Sequence, residues 1–207
     1  MEVLRSLKYS FHLIFHPFDG FWDLKHEKRG SLKAALIIVF LIGVTFILRR
    51  QLTGFILNNV KLRELNILVE ITSIAVPFLL WCLANWCLTT LMDGEGSFRD
   101  IVITTAYALT PIIIINIPMI IFSNIITLEE AAFYTFFDIF SLVWAGMLLI
   151  LGTSVVHQYS MGKTLLTCIC IVVGMGLIIF IALLFFSLLQ QMISFIYTIY
   201  KEIALRL

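Results

Sequence analysis

The stretch DGEGSFRDIVITTAYALTP, Asp93 to Pro111, decides how this chain is read. Asp93-Gly94-Glu95-Gly96-Ser97 is a short polar, glycine-containing turn between two long apolar runs. From Phe98 onward the second run opens with small, hydroxyl and aromatic residues rather than plain Leu and Ile. That pattern suits a tightly packed helix entered through a cap, and Ser97 is placed to cap it. Gly94 and Gly96 allow backbone angles that other residues resist, which favours a close hairpin between two spans.

The surroundings of the turn fix the class. Of 207 residues, 61% are apolar and only 13% are charged. A soluble domain is closer to half apolar and a quarter charged, so lipid must cover the excess. The expected fold is all-α: a polytopic bundle of five transmembrane helices with an N-terminal amphipathic helix in the membrane interface. A net charge of +1 gives no basic face for nucleic acid. The four cysteines, Cys82, Cys87, Cys168 and Cys170, sit inside apolar runs and read as small buried hydrophobes.

Upstream, Leu4, Leu7, Phe11, Ile14 and Phe15 recur at helical spacing. Such a helix either lies in the interface or packs under the bundle. Glu2, Arg5, Lys8 and His12 interrupt any apolar core of a cleavable signal. His16-Pro17 ends this helix. Phe18 to Lys33 reads as a linker, a charged collar around Trp22, and Ser31 as the cap of the first span. The chain then divides into a cytoplasmic unit, residues 1–33, and a membrane domain, residues 34–207.

The spans are expected near Ala34–Leu48, Glu70–Met92, Asp100–Phe122, Ala131–Val156 and from Thr164 onward. A polar connection with Asn58, Asn59, Lys61, Arg63 and Glu64 joins the first two. Pro77 marks a kink, and Pro111 with Pro118 predicts a bent third span. A straight helix from Thr164 to Leu205 would be about 60 Å long, twice the bilayer core, so it must protrude or bend. Five crossings put the termini on opposite sides. The collar cations Arg5, Lys8, Lys25, Lys28, Arg29 and Lys33 argue for a cytoplasmic N-terminus. With Arg99 and Lys163 they give eight cations inside against six outside.

Asp138 is the costliest residue, about two turns into the fourth span. A mid-span carboxylate costs roughly 2.5–3.5 kcal/mol on insertion scales. Equal depth pairs it with Asn116, with the carboxyl protonated as one form. The same argument pairs Asn85 with Tyr107, each seven residues from the Asp93 turn. These four form a candidate intramembrane polar site, either a proton or cation site or plain structural hydrogen bonds. Asp93, Gly94, Glu95, Gly96, Ser97 and Phe98 form a candidate cytoplasmic docking turn.

Other chemistry fails. Gly162-Lys163-Thr164 lacks the glycine five residues earlier that a phosphate loop needs; His157 stands there. The histidines have no useful ligand spacing. No nucleophile-base set converges. No enzyme activity, cofactor or metal is expected.

His16-Pro17 followed by Phe21, Lys28-Arg29-Gly30-Ser31, the turn Gly94-Glu95-Gly96-Ser97-Phe98, and Ala106-Tyr107-Ala108-Leu109 ending in Pro111 together resemble the Yip1 domain family in its bacterial form. The resemblance covers nearly the whole chain. It implies five spans, a cytoplasmic N-terminus and an extracytoplasmic C-terminus. Eukaryotic relatives act in vesicle trafficking with small GTPases; their long cytosolic N-terminal region and its acidic-aromatic motif are absent here, so that role is not carried over. Some bacterial relatives look like accessory partners of transport systems.

The reading is therefore a non-enzymatic plasma-membrane scaffold that associates with another membrane complex, with ABC-type transporter components as candidate partners. Homo-oligomers are compatible with it. The alternative is a small transporter whose polar path runs by Asp138, Asn116, Pro111 and Pro118. A membrane-embedded lipid enzyme is the weakest class.

Overall fold

The computed structural model describes residues 2–54, 57 and 66–206. The polar connection carrying Asn58, Asn59, Lys61, Arg63 and Glu64 lies outside the described residues. Among the described residues the fold is all-helical, and five helical stretches are long and apolar enough to span a bilayer.

The first two helices precede the spans. Helix α1 (Glu2–Phe15) and helix α2 (Pro17–His26) meet at His16. Pro17 ends the first helix and begins the second, where its missing N–H is no loss. The segment expected as a linker is thus largely helical. Gly20, Phe21 and Leu24 are buried on one face of α2, which makes that face an anchor. Leu13, Ser6 and Ser10 face the bundle from α1, whereas Phe11 and Phe15 point away from it.

Helix α3 (Leu32–Leu52) starts at Ser31, whose Oγ accepts the N–H of Ala34 at 3.1 Å. Its buried stripe is Ala34, Ala35, Ile38, Ile42 and Thr45, the spacing that presents one face of a helix to a core. Leu36 and Phe40 lie on the outer side. Arg49 and Arg50, expected to stop the span, are inside its last turn.

Helix α4 (Ile67–Leu91) is capped by Asn66, whose Oδ1 accepts the N–H of Leu68, and contains Pro77. The third span is two helices, α5 (Phe98–Ala108) and α6 (Thr110–Phe122), with Leu109 between them. Pro111 opens the second piece, and Thr110 Oγ1 donates to the Tyr107 carbonyl at 2.7 Å. The bend expected from the prolines is therefore a break just before Pro111. A single 3₁₀ turn, Leu128–Glu130, precedes α7 (Ala131–His157). Last comes α8 (Met161–Arg206), 46 residues without interruption. At 1.5 Å per residue it is about 70 Å long.

The third span is the axis of the bundle. Half of it is buried, whereas the last span buries only Thr164, Thr167, Cys168 and Ile171. Every residue from Ile101 to Ala108 is buried. The α6 half packs on α3 and α7, while α5 packs on α3, α4 and α7, with α2 across α7. Helix α8 leans mainly on α4, through a face holding Thr164, Thr167, Cys168 and Ile171.

Each end of the bundle is tied by polar contacts. At one end Lys25 of α2 pairs with Glu95 at 3.1 Å, and Lys163 Nζ donates to the Met92 carbonyl at 2.8 Å. At the other, the Gly54 N–H donates to Ser123 Oγ at 3.0 Å, and Asn124 Nδ2 donates to the Leu52 carbonyl at 2.9 Å.

Candidate functional site

The 92–97 turn is built from a helix stop and a helix start in direct succession. Asp93 adopts φ 58°, and the Gly94 N–H reaches the Thr89 carbonyl at 2.8 Å. That bond closes a left-handed helix ending in which Asp stands in the place glycine usually takes. The start is a capping box. Ser97 Oγ accepts the Asp100 N–H at 3.3 Å, and Asp100 Oδ2 accepts the Ser97 N–H at 3.2 Å.

The glycines serve another purpose than the expected one. Neither Gly94 nor Gly96 has a positive φ. Both are needed because His157, Val156 and Tyr159 press against the turn. A Cβ on Gly94 would come within 2.6 Å of His157 Nδ1 and 2.7 Å of the Tyr159 hydroxyl oxygen. A Cβ on Gly96 would meet Val156 Cγ1 at 2.5 Å. The turn therefore closes onto the end of α7 as well as joining α4 to α5. His157 Nδ1 accepts the Gly96 N–H at 3.4 Å. Tyr159 donates its hydroxyl to the Met92 carbonyl at 3.0 Å, and Lys163 lies 4.1 Å from its ring centre. Burial pushes the Tyr159 phenol pKa up, and nearby Asp93 pushes it the same way. Asp93, Glu95, Ser97 and Phe98 remain on the outer surface. Phe98 rests edge-on against Trp86, 5.9 Å between centroids.

Asp138 has a cationic partner that equal depth did not reveal. Arg49 Nη1 donates to Oδ1 at 2.5 Å and Nη2 to Oδ2 at 2.8 Å. Arg49 Nε also donates to the Tyr134 hydroxyl at 3.2 Å. A two-point pair of this kind fixes both planes and meets the charge within the span. The expected Asp138–Asn116 contact is replaced. Asn116 Nδ2 donates to the Ile112 carbonyl at 2.9 Å and to Ser141 Oγ at 3.2 Å, one turn further along α7. Ser141 Oγ in turn donates to the Asp138 carbonyl at 2.8 Å. The sequence did hold the signal: Arg49 continues the buried stripe Ile38, Ile42, Thr45 by one more step of four.

Asn85 and Tyr107 also part company. The Tyr107 hydroxyl is 2.6 Å from Ser6 Oγ and donates to the Ser6 carbonyl at 3.1 Å. Ser6 Oγ bonds the Arg29 carbonyl at 3.0 Å as well. Tyr107 thus ties α1 and the α3 entrance to the third span. Asn85 lies instead beside a small enclosed cavity lined also by Thr104, Thr105, Thr153 and His157. A depth count measures position along a helix axis and carries no information on azimuth; Asn116 contacts α7 one turn away from Asp138, at Ser141, and Tyr107 bonds Ser6 rather than Asn85.

Three further ion pairs sit at the bundle ends. Arg50 Nη1 meets Glu70 Oε1 at 2.6 Å, with the Glu70 side chain almost fully covered. Arg29 meets Asp23 at 3.3 Å and Glu27 at 2.5 Å.

No curated protein and no solved structure matches the chain. The model of the Yip1 domain matches residues 11–200. That range takes in α2, the glycine turn, the broken third span and most of α8, so this multi-pass membrane protein belongs to the Yip1 domain family.

Proposed function

We propose that the protein is a non-enzymatic membrane scaffold that docks on another membrane complex, with α8 as the principal contact. The observation that carries this reading is the last helix: it is 46 residues long, and its buried face is confined to the first turns, at Thr164, Thr167, Cys168 and Ile171. About 20 residues suffice to cross a bilayer core. The remainder extends past the bundle and carries Gln190, Gln191, Tyr197, Tyr200, Lys201 and Glu202, a mixed surface suited to a protein neighbour. Asp93, Glu95, Ser97 and Phe98 offer a second docking face at the opposite end. Components of a transport system, such as an ABC-type transporter, are the partner class in view, and a second copy of the chain is the other.

In this reading the protein lies in the plasma membrane. The cations of residues 1–33 hold that unit at the cytoplasmic side, α1 rests in the interface through Phe11 and Phe15, and the C-terminus is extracytoplasmic. Photo-crosslinking residues at Phe195 and Tyr197 should give a discrete protein adduct in cells, while one at Phe40 on the outer face of α3 should give none. Adducts at neither α8 position, or equal adducts at all three, overturn the reading.

A transporter is the second reading, favoured by the break before Pro111 in the most buried span. Against it, both Asp138 carboxylate oxygens are held by Arg49. Reconstituted flux that disappears in Asp138→Asn would select it.

A further inference from the structure

A cavity of about 530 Å³ opens between α1 and the α2–α3 loop, lined by Arg5, Ser6, Tyr9, Lys28, Arg29 and Ser31. Three of its six lining side chains are cationic. Their charges are not equally available. Arg29 is engaged by Asp23 and Glu27, whereas among the described residues Arg5 and Lys28 form no ion pair. The cavity also borders the start of α3, where backbone N–H groups lack helical partners and the dipole is positive. No acidic residue occupies that first turn to offset it.

The backbone fixes where Lys28 stands. Lys28 is held at φ 53°. That is the left-handed ending of α2, one residue past its Glu27 cap, a place glycine usually takes. Lys28 is not required by the turn, since Gly would take that angle without cost. What Lys contributes there is an ammonium group on the cavity wall. The loop is clamped next to it: a Cβ on Gly30 would meet Ile103 Cγ2 at 2.7 Å and Leu24 Cδ2 at 2.8 Å. Tyr9 donates to Asp23 at 2.8 Å and packs beneath Arg29, 5.5 Å from ring centre to guanidinium carbon, so the third wall is also fixed.

We propose that this cavity binds the phosphate-bearing headgroup of an anionic phospholipid. Arg5 and Lys28 supply the charge, and the Ser31 end of α3 supplies a positive helix terminus. The lipid source follows from the neighbours. Leu32, next to Ser31, and Leu36 one turn further along α3 are exposed apolar side chains. A phosphate held at the cavity would leave its acyl chains along the outer face of α3, where the span enters lipid. A free phosphate would use the cations and leave that apolar border without a role.

The test uses the full chain in mild detergent, titrated with short-chain phosphatidylglycerol, short-chain phosphatidylcholine and inorganic phosphate. Phosphatidylglycerol is expected to bind, with phosphatidylcholine and inorganic phosphate each far weaker. Lys28→Gly removes the ammonium and relieves the backbone, so it should fold at least as well as the parent. It should weaken phosphatidylglycerol about fivefold, Arg5→Gln about as much, and the pair about twenty-five-fold, as expected for roughly 1 kcal/mol per interfacial cation. Lys28→Arg should retain binding. Circular dichroism on each variant separates lost affinity from lost fold. Equal affinity for the two lipids, an unchanged constant in the double variant, or inorganic phosphate binding as well as the lipid would each overturn the assignment.

Discussion

Arg49 in the last turn of the first span grips both carboxylate oxygens of Asp138, at 2.5 and 2.8 Å, across 89 residues of chain. The two side chains are 27% and 21% exposed, so the pair is shielded without being sealed. Removing one partner strands the other charge in a span, which is far costlier than removing both. Asp138→Leu should therefore cost about 2–4 kcal/mol, and Arg49→Met a similar amount. The double variant should cost less than either alone. Thermal unfolding of the four proteins in one detergent closes the cycle. Simple addition of the single effects would show that the pair is not coupled.

The glycine turn makes a separate prediction. Because a Gly96 Cβ would sit 2.5 Å from Val156 Cγ1, Gly96→Ala should destabilise by about 1–3 kcal/mol through overpacking. Adding Val156→Ala should return part of that loss. The control is Gly146 in α7, whose added Cβ meets nothing within 4 Å; there Ala should be neutral or slightly stabilising, since Gly costs roughly 0.5–1 kcal/mol in a helix. Equal effects at both glycines would mean the turn is not pressed on α7.

These two sites show what periodicity and composition convey. Span number, the Ser31 and Ser97 caps and the break near Pro111 are local features: each depends on a few neighbouring residues, and each was legible. The partners of Asp138 and Tyr107 were not. A helix facing lipid is apolar all round, so hydrophobic patterning does not say which side looks inward. In α3 the small and hydroxyl residues Ala34, Ala35 and Thr45 do carry that signal, and they point straight to Arg49. The helix α2 was hidden because its charges mask a short buried face of Gly20, Phe21 and Leu24. His157 offers no motif in the sequence, yet it packs against the 92–97 turn, because that contact joins residues 61 apart in the chain.

Tyr107 and Ser6 should behave as a latch between α1 and the third span. Tyr107→Phe keeps the ring and removes the hydroxyl, and with it both buried contacts to Ser6, whose Oγ keeps only the Arg29 carbonyl and the Ser31 N–H. The expected cost is about 1–2 kcal/mol, and it should appear locally, as faster hydrogen exchange in residues 2–15. Asn85→Ala should leave that exchange unchanged, because Asn85 faces the separate cavity beside His157. Faster exchange in Asn85→Ala would reinstate the Asn85–Tyr107 bond expected from depth.

Tyr9 gives the N-terminal pair of helices a pH limit. Burial, reinforced by the hydrogen bond to Asp23, pushes its phenol up to about 12, above the ordinary value of about 10. The folded state thus holds the proton more tightly than the unfolded one. The stabilisation is complete below pH about 10 and is lost as pH rises through about 12. Tyrosinate absorbance should show a late-titrating phenol that Tyr9→Phe removes from the difference curve. Asp23→Asn should lower its midpoint, since the hydrogen bond and the carboxylate charge both favour the neutral phenol. A difference curve centred on the ordinary phenol value would mean that α1 is not held against α2 through this contact.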